Sequence, residues 1–110
     1  MCQFKHWFFD ESGYVVQCEK CDYFQVSFGT TILTLDTNNY KTFVELVTVK
    51  KNNHVSMNNP NTKCIIMPTP CSSINTILSE AELDTLYHML CEADTEMQTQ
   101  QLISLFNPTA

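Results

Sequence analysis

Alternation of apolar and polar positions predicts strands in the first third of the chain. Residues 14–18 (YVVQC) form a short apolar run, and residues 23–28 (YFQVSF) place every second side chain on one face. A second alternating run follows at 31–35 (TILTL), directly after Gly29 and Thr30. Because glycine reaches positive φ at low cost, these two residues predict a tight turn and therefore a hairpin.

Helical periodicity replaces this alternation from residue 38 onward. Over 38–50 the apolar side chains recur three and four residues apart, at Tyr40, Phe43, Val44 and Val47. Asp36 or Thr37 can accept a hydrogen bond from the first unpaired amides of this helix. A polar loop at 52–62 then separates the helix from a predicted strand at 63–68 (KCIIMP).

A long C-terminal helix is predicted from Ser79 onward, after an extended stretch at about 72–78. Ser79 and Glu82 have the S-x-x-E spacing of a capping box, in which each side chain binds the backbone amide of the other residue. The predicted inward stripe of this helix consists of Leu83, Leu86, Tyr87, Leu90, Met97, Leu102, Leu105 and Phe106. Pro108 is expected to end the helix.

A shift of 43 residues, from Cys21 to Cys64, superposes the two halves of the pattern and also places Asp36 on Ser79. Each half then has the order strand, turn, strand and capped helix. The pattern predicts an α+β fold in a single domain, 1–110, with a small and mostly antiparallel sheet covered by two helices. Two ββα repeats with joined sheets would give this fold, but two unrelated capped helices would align as well.

Composition and charge restrict the classes of function. The chain has 110 residues, a formal net charge of −6, six lysines and no arginine. Nucleic-acid binding depends on basic patches, so we expect no nucleic-acid partner. No apolar run approaches the ~18 residues of a transmembrane helix, and the N-terminus lacks the apolar region of a signal peptide. We therefore expect a cytoplasmic protein without a membrane partner.

Cys18 and Cys21 form a C-x2-C pair between two predicted strands. This spacing is typical of a zinc knuckle, in which a tight turn directs both thiolates at one ion. In a reducing cytoplasm the six cysteines are candidate ligands or buried thiols rather than disulfides. The alternatives are an ordinary turn that contains two thiols, and a redox pair; a redox C-x2-C opens a helix, whereas a strand follows Cys21.

A structural zinc ion needs four ligands, and the sequence offers two ways to complete the set. Cys2 and His6 would give C-x3-H ahead of the C-x2-C pair, and we favour this completion. Cys64 with Cys71 is the other one, although Cys64 lies in an apolar strand where a buried thiol is common. A thiol enzyme that acts through Cys18 or Cys2 is a further hypothesis.

Two segments are candidate contact surfaces for a partner. The N-terminal aromatic cluster (Phe4, Trp7, Phe8 and Phe9) either packs over an open end of the sheet or forms an interface patch. From Ser79 onward the chain has six acidic residues and no lysine or arginine, which gives a solvated helix face or a surface for a basic partner. The apolar end of this helix must be buried somewhere, and we expect a homodimer or a protein partner through it.

Four segments, "GYVVQCEKC", "FQVSFGTT", "KCIIMPTPC" and "EADTEMQTQQLISLF", together span most of the predicted elements. In these segments the chain resembles a family of small uncharacterised proteins of the Bacteroidetes, a domain of unknown function. The resemblance implies a lineage and a cytoplasmic location. It implies no activity, no ligand set and no catalytic residue.

Overall fold

The computed structural model describes residues 3–53, 59–69 and 73–106. This part of the chain contains two helices, a four-stranded antiparallel sheet and a two-stranded sheet, so the predicted α+β class is confirmed. Three residues named above lie outside it: Cys2, Cys71 and Pro108. No helix within the described ranges is long and apolar enough to cross a membrane.

The larger sheet follows the order of the chain, and each strand is antiparallel to the next. Its strands are β1 (Phe4–Asp10), β2 (Gly13–Cys18), β3 (Phe24–Phe28) and β4 (Thr31–Leu35). The last three confirm the strands predicted from alternation. Gly29 has φ +59° in the turn between β3 and β4, as the hairpin prediction requires.

Strand β1 is the element that the sequence pattern did not predict. Its register against β2 shifts between His6 and Phe8, where β1 carries one extra residue. Such a bulge interrupts the alternation of side chains. Trp7 and Phe8, which are neighbours in sequence, both pack against the core, whereas Phe4 and Phe9 are exposed. The aromatic cluster is therefore divided between the core and the surface.

Helix α1 (Thr37–Asn53) is capped by Asp36, the first of the two candidate caps and the residue just before the helix. The Asp36 carboxylate accepts a hydrogen bond from the amide of Asn39 at 2.7 Å. Tyr40, Phe43 and Val47 are buried, as the periodicity predicts. With Val15, Leu35 and Leu86, among others, they form the core between the four-stranded sheet and the helices.

Helix α2 (Glu80–Phe106) has the predicted capping box. The amide of Glu82 donates to Ser79 Oγ at 3.1 Å, and the amide of Ser79 donates to Glu82 Oε1 at 3.0 Å. Its buried side chains are Leu83, Leu86, Met89, Leu90 and Ala93. The second half of the predicted inward stripe is wrong beyond Met97, because the large apolar side chains that follow are more than half exposed.

Strands β5 (Ile65–Pro68) and β6 (Asn75–Leu78) form the two-stranded sheet. From β3 onward the element order is ββα twice, and equivalent positions such as Leu35 and Leu78 are both buried. The alternative in which the two hairpins join in one sheet is wrong for the described residues. The two sheets are separate, and a cleft of about 340 Å³ that is lined by both β4 and β6 lies between them.

Candidate functional site

The loop between β2 and β3 holds the C-x2-C pair in a tight turn. The amide of Cys18 donates to the carbonyl of Tyr23 at 2.8 Å, and the amide of Asp22 donates to the carbonyl of Cys18 at 3.0 Å. Asp22 has φ +59°, a conformation that aspartate adopts more readily than most residues. The backbone therefore reverses within residues 19–22, which is the turn that the knuckle hypothesis needs.

The two thiols have different surroundings. Cys18 ends β2 with 1% of its surface exposed, whereas Cys21 is exposed in the loop. His6 pairs with Val16, two residues before Cys18, so the register puts His6 and Cys18 on one face of the sheet. Among the described residues, however, no three His, Cys, Asp or Glu side chains come together closely enough to hold a metal ion.

The favoured completion of the zinc site depends on Cys2, which lies outside the described residues. The residue after it, Gln3, accepts a hydrogen bond through its carbonyl from the amide of Glu19 at 2.8 Å. The segment that follows Cys2 therefore runs beside the C-x2-C loop. In the other completion Cys71 also lies outside the described residues, and Cys64 is exposed just before β5 rather than buried in a strand.

The end of α2 is a second candidate site. Four large apolar side chains there, which we call the α2 end, are exposed: Leu102 (55%), Ile103 (51%), Leu105 (75%) and Phe106 (87%). A helix of 27 residues is about 40 Å long, more than the 28 Å and 24 Å widths of the molecule. The residues 97–106 also contain no charged side chain.

A groove of about 880 Å³ runs between the second half of α2 and the body of the molecule. Its lining residues are Lys5, Trp7, Gln17, Phe24, Thr37, Tyr40, Lys41, Asp94, Met97, Gln98, Gln100, Gln101, Ser104 and Leu105. They come from β1–β3, from the start of α1 and from α2. Trp7 is held in place by its indole N–H, which donates to Gln17 Oε1 at 3.1 Å.

Tyr40 lies on the inner wall of this groove. Its ring stacks on Phe24 with 4.0 Å between centroids, and its buried hydroxyl has no hydrogen-bond partner within the described ranges. Burial, and secondarily the negative charge of Asp94, raise the pKa of Tyr40 well above its usual range. The hydroxyl is therefore neutral at any physiological pH and supplies no charge to the groove.

Two ion pairs fix the first half of α2 to its neighbours. Lys51 of α1 binds Asp84 at 2.8 Å, and Lys63 binds Glu82. The hydrogen bond from Lys51 lowers the pKa of Asp84. The hydrogen bond from Lys63, with help from the Ser79 amide, lowers the pKa of Glu82. Part of the predicted acidic contact surface is therefore engaged within the molecule.

A family model matches residues 1–107, almost the whole chain, and describes a family of unknown function, DUF6686. The chain belongs to this family. No curated protein and no solved structure matches it. Membership of DUF6686 assigns no activity or ligand, while the Bacteroidetes lineage and the cytoplasmic location that the sequence suggests stay predictions.

The sequence pattern of this DUF6686 member indicates some residues of these sites but not others. The C-x2-C pair and the apolar α2 end were recognised from spacing and from composition. Lys5, Tyr40 and Lys41 were not recognised as neighbours in a groove, because they come from two elements that are distant in sequence. The only available signal was the aromatic cluster around Trp7, whose strand was not predicted.

Proposed function

We propose that this DUF6686 member is a non-enzymatic binding protein that forms a homodimer through the α2 end. The observation that carries the proposal is the exposure of four large apolar side chains in one helix segment. Burying such a side chain completely is worth roughly 1.5–3 kcal/mol. Two copies would bury eight of them, four from each, worth on the order of 10 kcal/mol, which is comparable to an association cost of ~4–15 kcal/mol.

A second copy suits this surface better than a basic partner does. The residues 97–106 contain no acidic side chain for a basic protein to bind. Each copy has a formal net charge of −6, so two copies repel each other at a distance. An uncharged contact region allows them to meet without bringing acidic groups together, and a two-fold interface requires such a self-complementary patch.

Replacement of Leu102 and Phe106 by Ser tests the dimer. Sedimentation equilibrium of the unaltered chain should give twice the monomer mass of 12.6 kDa, and the double variant should give 12.6 kDa with an unchanged circular dichroism spectrum. Ile32→Ser with Ile66→Ser, at similarly exposed apolar positions on β4 and β5, is the matched control and should remain dimeric. An unaltered chain that is monomeric at every concentration, or a control that dissociates equally, contradicts the proposal.

A structural zinc ion bound by Cys18, Cys21, Cys2 and His6 is our second proposal. Its support is the tight turn at Cys18 together with the contact between Gln3 and Glu19, which brings the residue after Cys2 to the same loop. A zinc ion there would tie the N-terminal strand to the β2–β3 loop, because its ligands come from both segments.

Metal analysis of protein purified without added zinc tests this second proposal. We expect close to one equivalent of zinc, and a lower melting temperature after chelator treatment because metal binding is coupled to folding. Cys21→Ser should lose the metal, whereas Cys91→Ser, at another exposed thiol, should retain it. Less than about a tenth of an equivalent, with unchanged melting, would contradict a zinc site; loss of zinc in Cys64→Ser would favour the other ligand set.

A further inference from the structure

We infer that the groove beside α2 receives the α2 end of a second copy, so that each copy inserts its helix end into the groove of the other. This inference rests on the proposed homodimer and adds where the partner helix lies. The groove and the α2 end belong to one helix segment: α2 lines the groove from Asp94 to Leu105 and ends at Phe106. In a reciprocal exchange, the α2 end of each copy fills the groove of the other, so both exposed surfaces of both copies are covered.

Helix geometry is compatible with this exchange. If two copies of α2 run antiparallel and their two-fold axis passes at the level of Gln100, residues equally distant from Gln100 lie at the same height. Phe106 of one copy then lies at the level of Asp94 of the other, because each is six residues, or about 9 Å, from the axis. Asp94 neighbours Tyr40 in the wall of the groove.

The lining of the groove suits the arriving side chains. Trp7, Phe24 and Met97 contribute apolar surface to it, while Gln17, Gln98 and Gln101 contribute uncharged polar surface. The partner segment 97–106 is itself made only of apolar and uncharged polar residues. No charged side chain of the partner segment would therefore lose its hydration when the segment enters the groove.

Charge complementarity favours the end of a helix as the occupant. The α2 helix has no basic residue in its last turn, so the negative end of its dipole is not compensated there by its own side chains. Lys5 and Lys41 line the groove, and within the described residues neither of them forms an ion pair. The groove is also lined by Asp94, so its charged side chains, two lysines and one aspartate, leave a net formal charge of +1 that favours the negative helix end of a second copy.

Reversal of these two charges tests the location. Lys5→Glu with Lys41→Glu should raise the dissociation constant of the dimer about tenfold in sedimentation at low salt, because the helix end would then face two like charges. Lys20→Glu with Lys50→Glu changes the net charge equally at two exposed lysines outside the groove. This control should leave the dissociation constant within about twofold of the unaltered chain. Circular dichroism spectra of both variants establish that they are folded.

Photo-crosslinking supplies a second measurement that does not depend on charge. With Phe106 replaced by benzoyl-phenylalanine in one isotopically labelled copy, we expect crosslinks to peptides of the other copy that contain Trp7, Lys41 or Asp94. Crosslinks only outside the groove, or equal dissociation constants for the two charge variants, would overturn the groove while the dimer stands. A monomeric unaltered chain would instead overturn the proposed function together with this inference.

Discussion

At the scale of single residues, close backbone contacts determine which of the two glycines can be replaced by a larger residue. Gly13 opens β2, and a Cβ atom placed on it would lie 1.8 Å from the carbonyl oxygen of Ser27 on β3. No side-chain movement can relieve this contact, because the added Cβ atom would meet a backbone oxygen and the backbones of β2 and β3 are held together by strand pairing. Gly29 is different, since a Cβ atom there meets nothing within 4 Å and only its φ of +59° is unfavourable for other residues.

Gly13→Ala should therefore destabilise the fold more than Gly29→Ala. We expect a loss of roughly 2–3 kcal/mol in the free energy of unfolding for Gly13→Ala, because the β2–β3 pairing must open to admit the methyl group. For Gly29→Ala we expect about 1 kcal/mol, the cost of a left-handed conformation for an L-residue. Urea titration at one protein concentration measures both, and equal losses would contradict the close approach.

The burial of each cysteine thiol also depends on the strands around it. Cys18 and Cys64 both adjoin short apolar strands, yet Cys18 is buried and Cys64 is exposed. Cys18 ends a strand that has neighbours on both sides, whereas Cys64 precedes the first strand of a two-stranded sheet. The spacing of cysteines identified the candidates for metal binding, but the burial of each thiol depends on which strand lies beside it.

At the scale of elements, the start of α2 combines a capping box with an ion pair. Glu82 accepts hydrogen bonds from the Ser79 amide and from Lys63, and these contacts lower its pKa. When folding lowers the pKa of a carboxyl group, that group stabilises the native state at any pH above the pKa that it has in the unfolded chain, which is ~4.3 for glutamate. That contribution disappears as the pH falls through the lower pKa of the folded state.

Glu82→Gln should reduce the acid sensitivity of the fold. Glutamine retains the reach to the Ser79 amide but loses the ion pair with Lys63, so the variant should be less stable than the unaltered chain at pH 7 by under ~1 kcal/mol. This difference should shrink between about pH 5 and pH 3, as the unaltered chain loses the contribution. Urea titrations across this range measure it, with Glu92→Gln on the same helix as the control; a constant difference would contradict the assignment.

The helices and strands that were predicted correctly are those whose sequence signals lie close together in the chain. Strands β2 to β4 and both helices were predicted because alternation, periodicity and N-caps lie within a few residues of one another. Strand β1 was missed because its bulge directs the adjacent Trp7 and Phe8 to the same core. The stripe on α2 was extended too far because periodicity shows which side chains share a face, but not whether anything packs against it.

At the scale of the whole molecule, α2 is longer than the body that it covers. Its buried residues end at Ala93, and Met97 is half-buried, while the turns that follow are exposed. The homodimer that we propose would bury these turns, so folding and association would be linked by mass action. The stability of such a protein depends on its concentration.

The melting temperature should therefore rise with protein concentration. For a dimer that dissociates on unfolding, a hundredfold increase in concentration adds about 2.7 kcal/mol per dimer, or about 1.4 kcal/mol per chain, which corresponds to roughly 5–10 °C for a chain of ~100 residues. Leu102→Ser with Phe106→Ser should melt at the same temperature at every concentration. Scanning calorimetry at low and high concentrations measures both, and a concentration-independent melting temperature for the unaltered chain would rule out a dimer that is linked to folding.

The sequence by itself determined the elements that depend on near neighbours: the β3–β4 hairpin, the caps of both helices, the first half of the α2 stripe and the C-x2-C turn. It also determined that the residues 97–106 are apolar or uncharged. Each of these properties is specified by residues that are close together in the chain. Their conformations are favoured by local hydrogen bonds and by the period of the apolar side chains.

Only the tertiary structure decided how these elements meet. It keeps the two hairpins in separate sheets, leaves the α2 end exposed and places Lys5 and Lys41 in one groove. Burial and charge proximity depend on which distant segments pack together, and a linear pattern does not encode that choice. The bulge in β1 is the clearest case, because the pairing of β1 with β2 determines which of its aromatic rings reach the core.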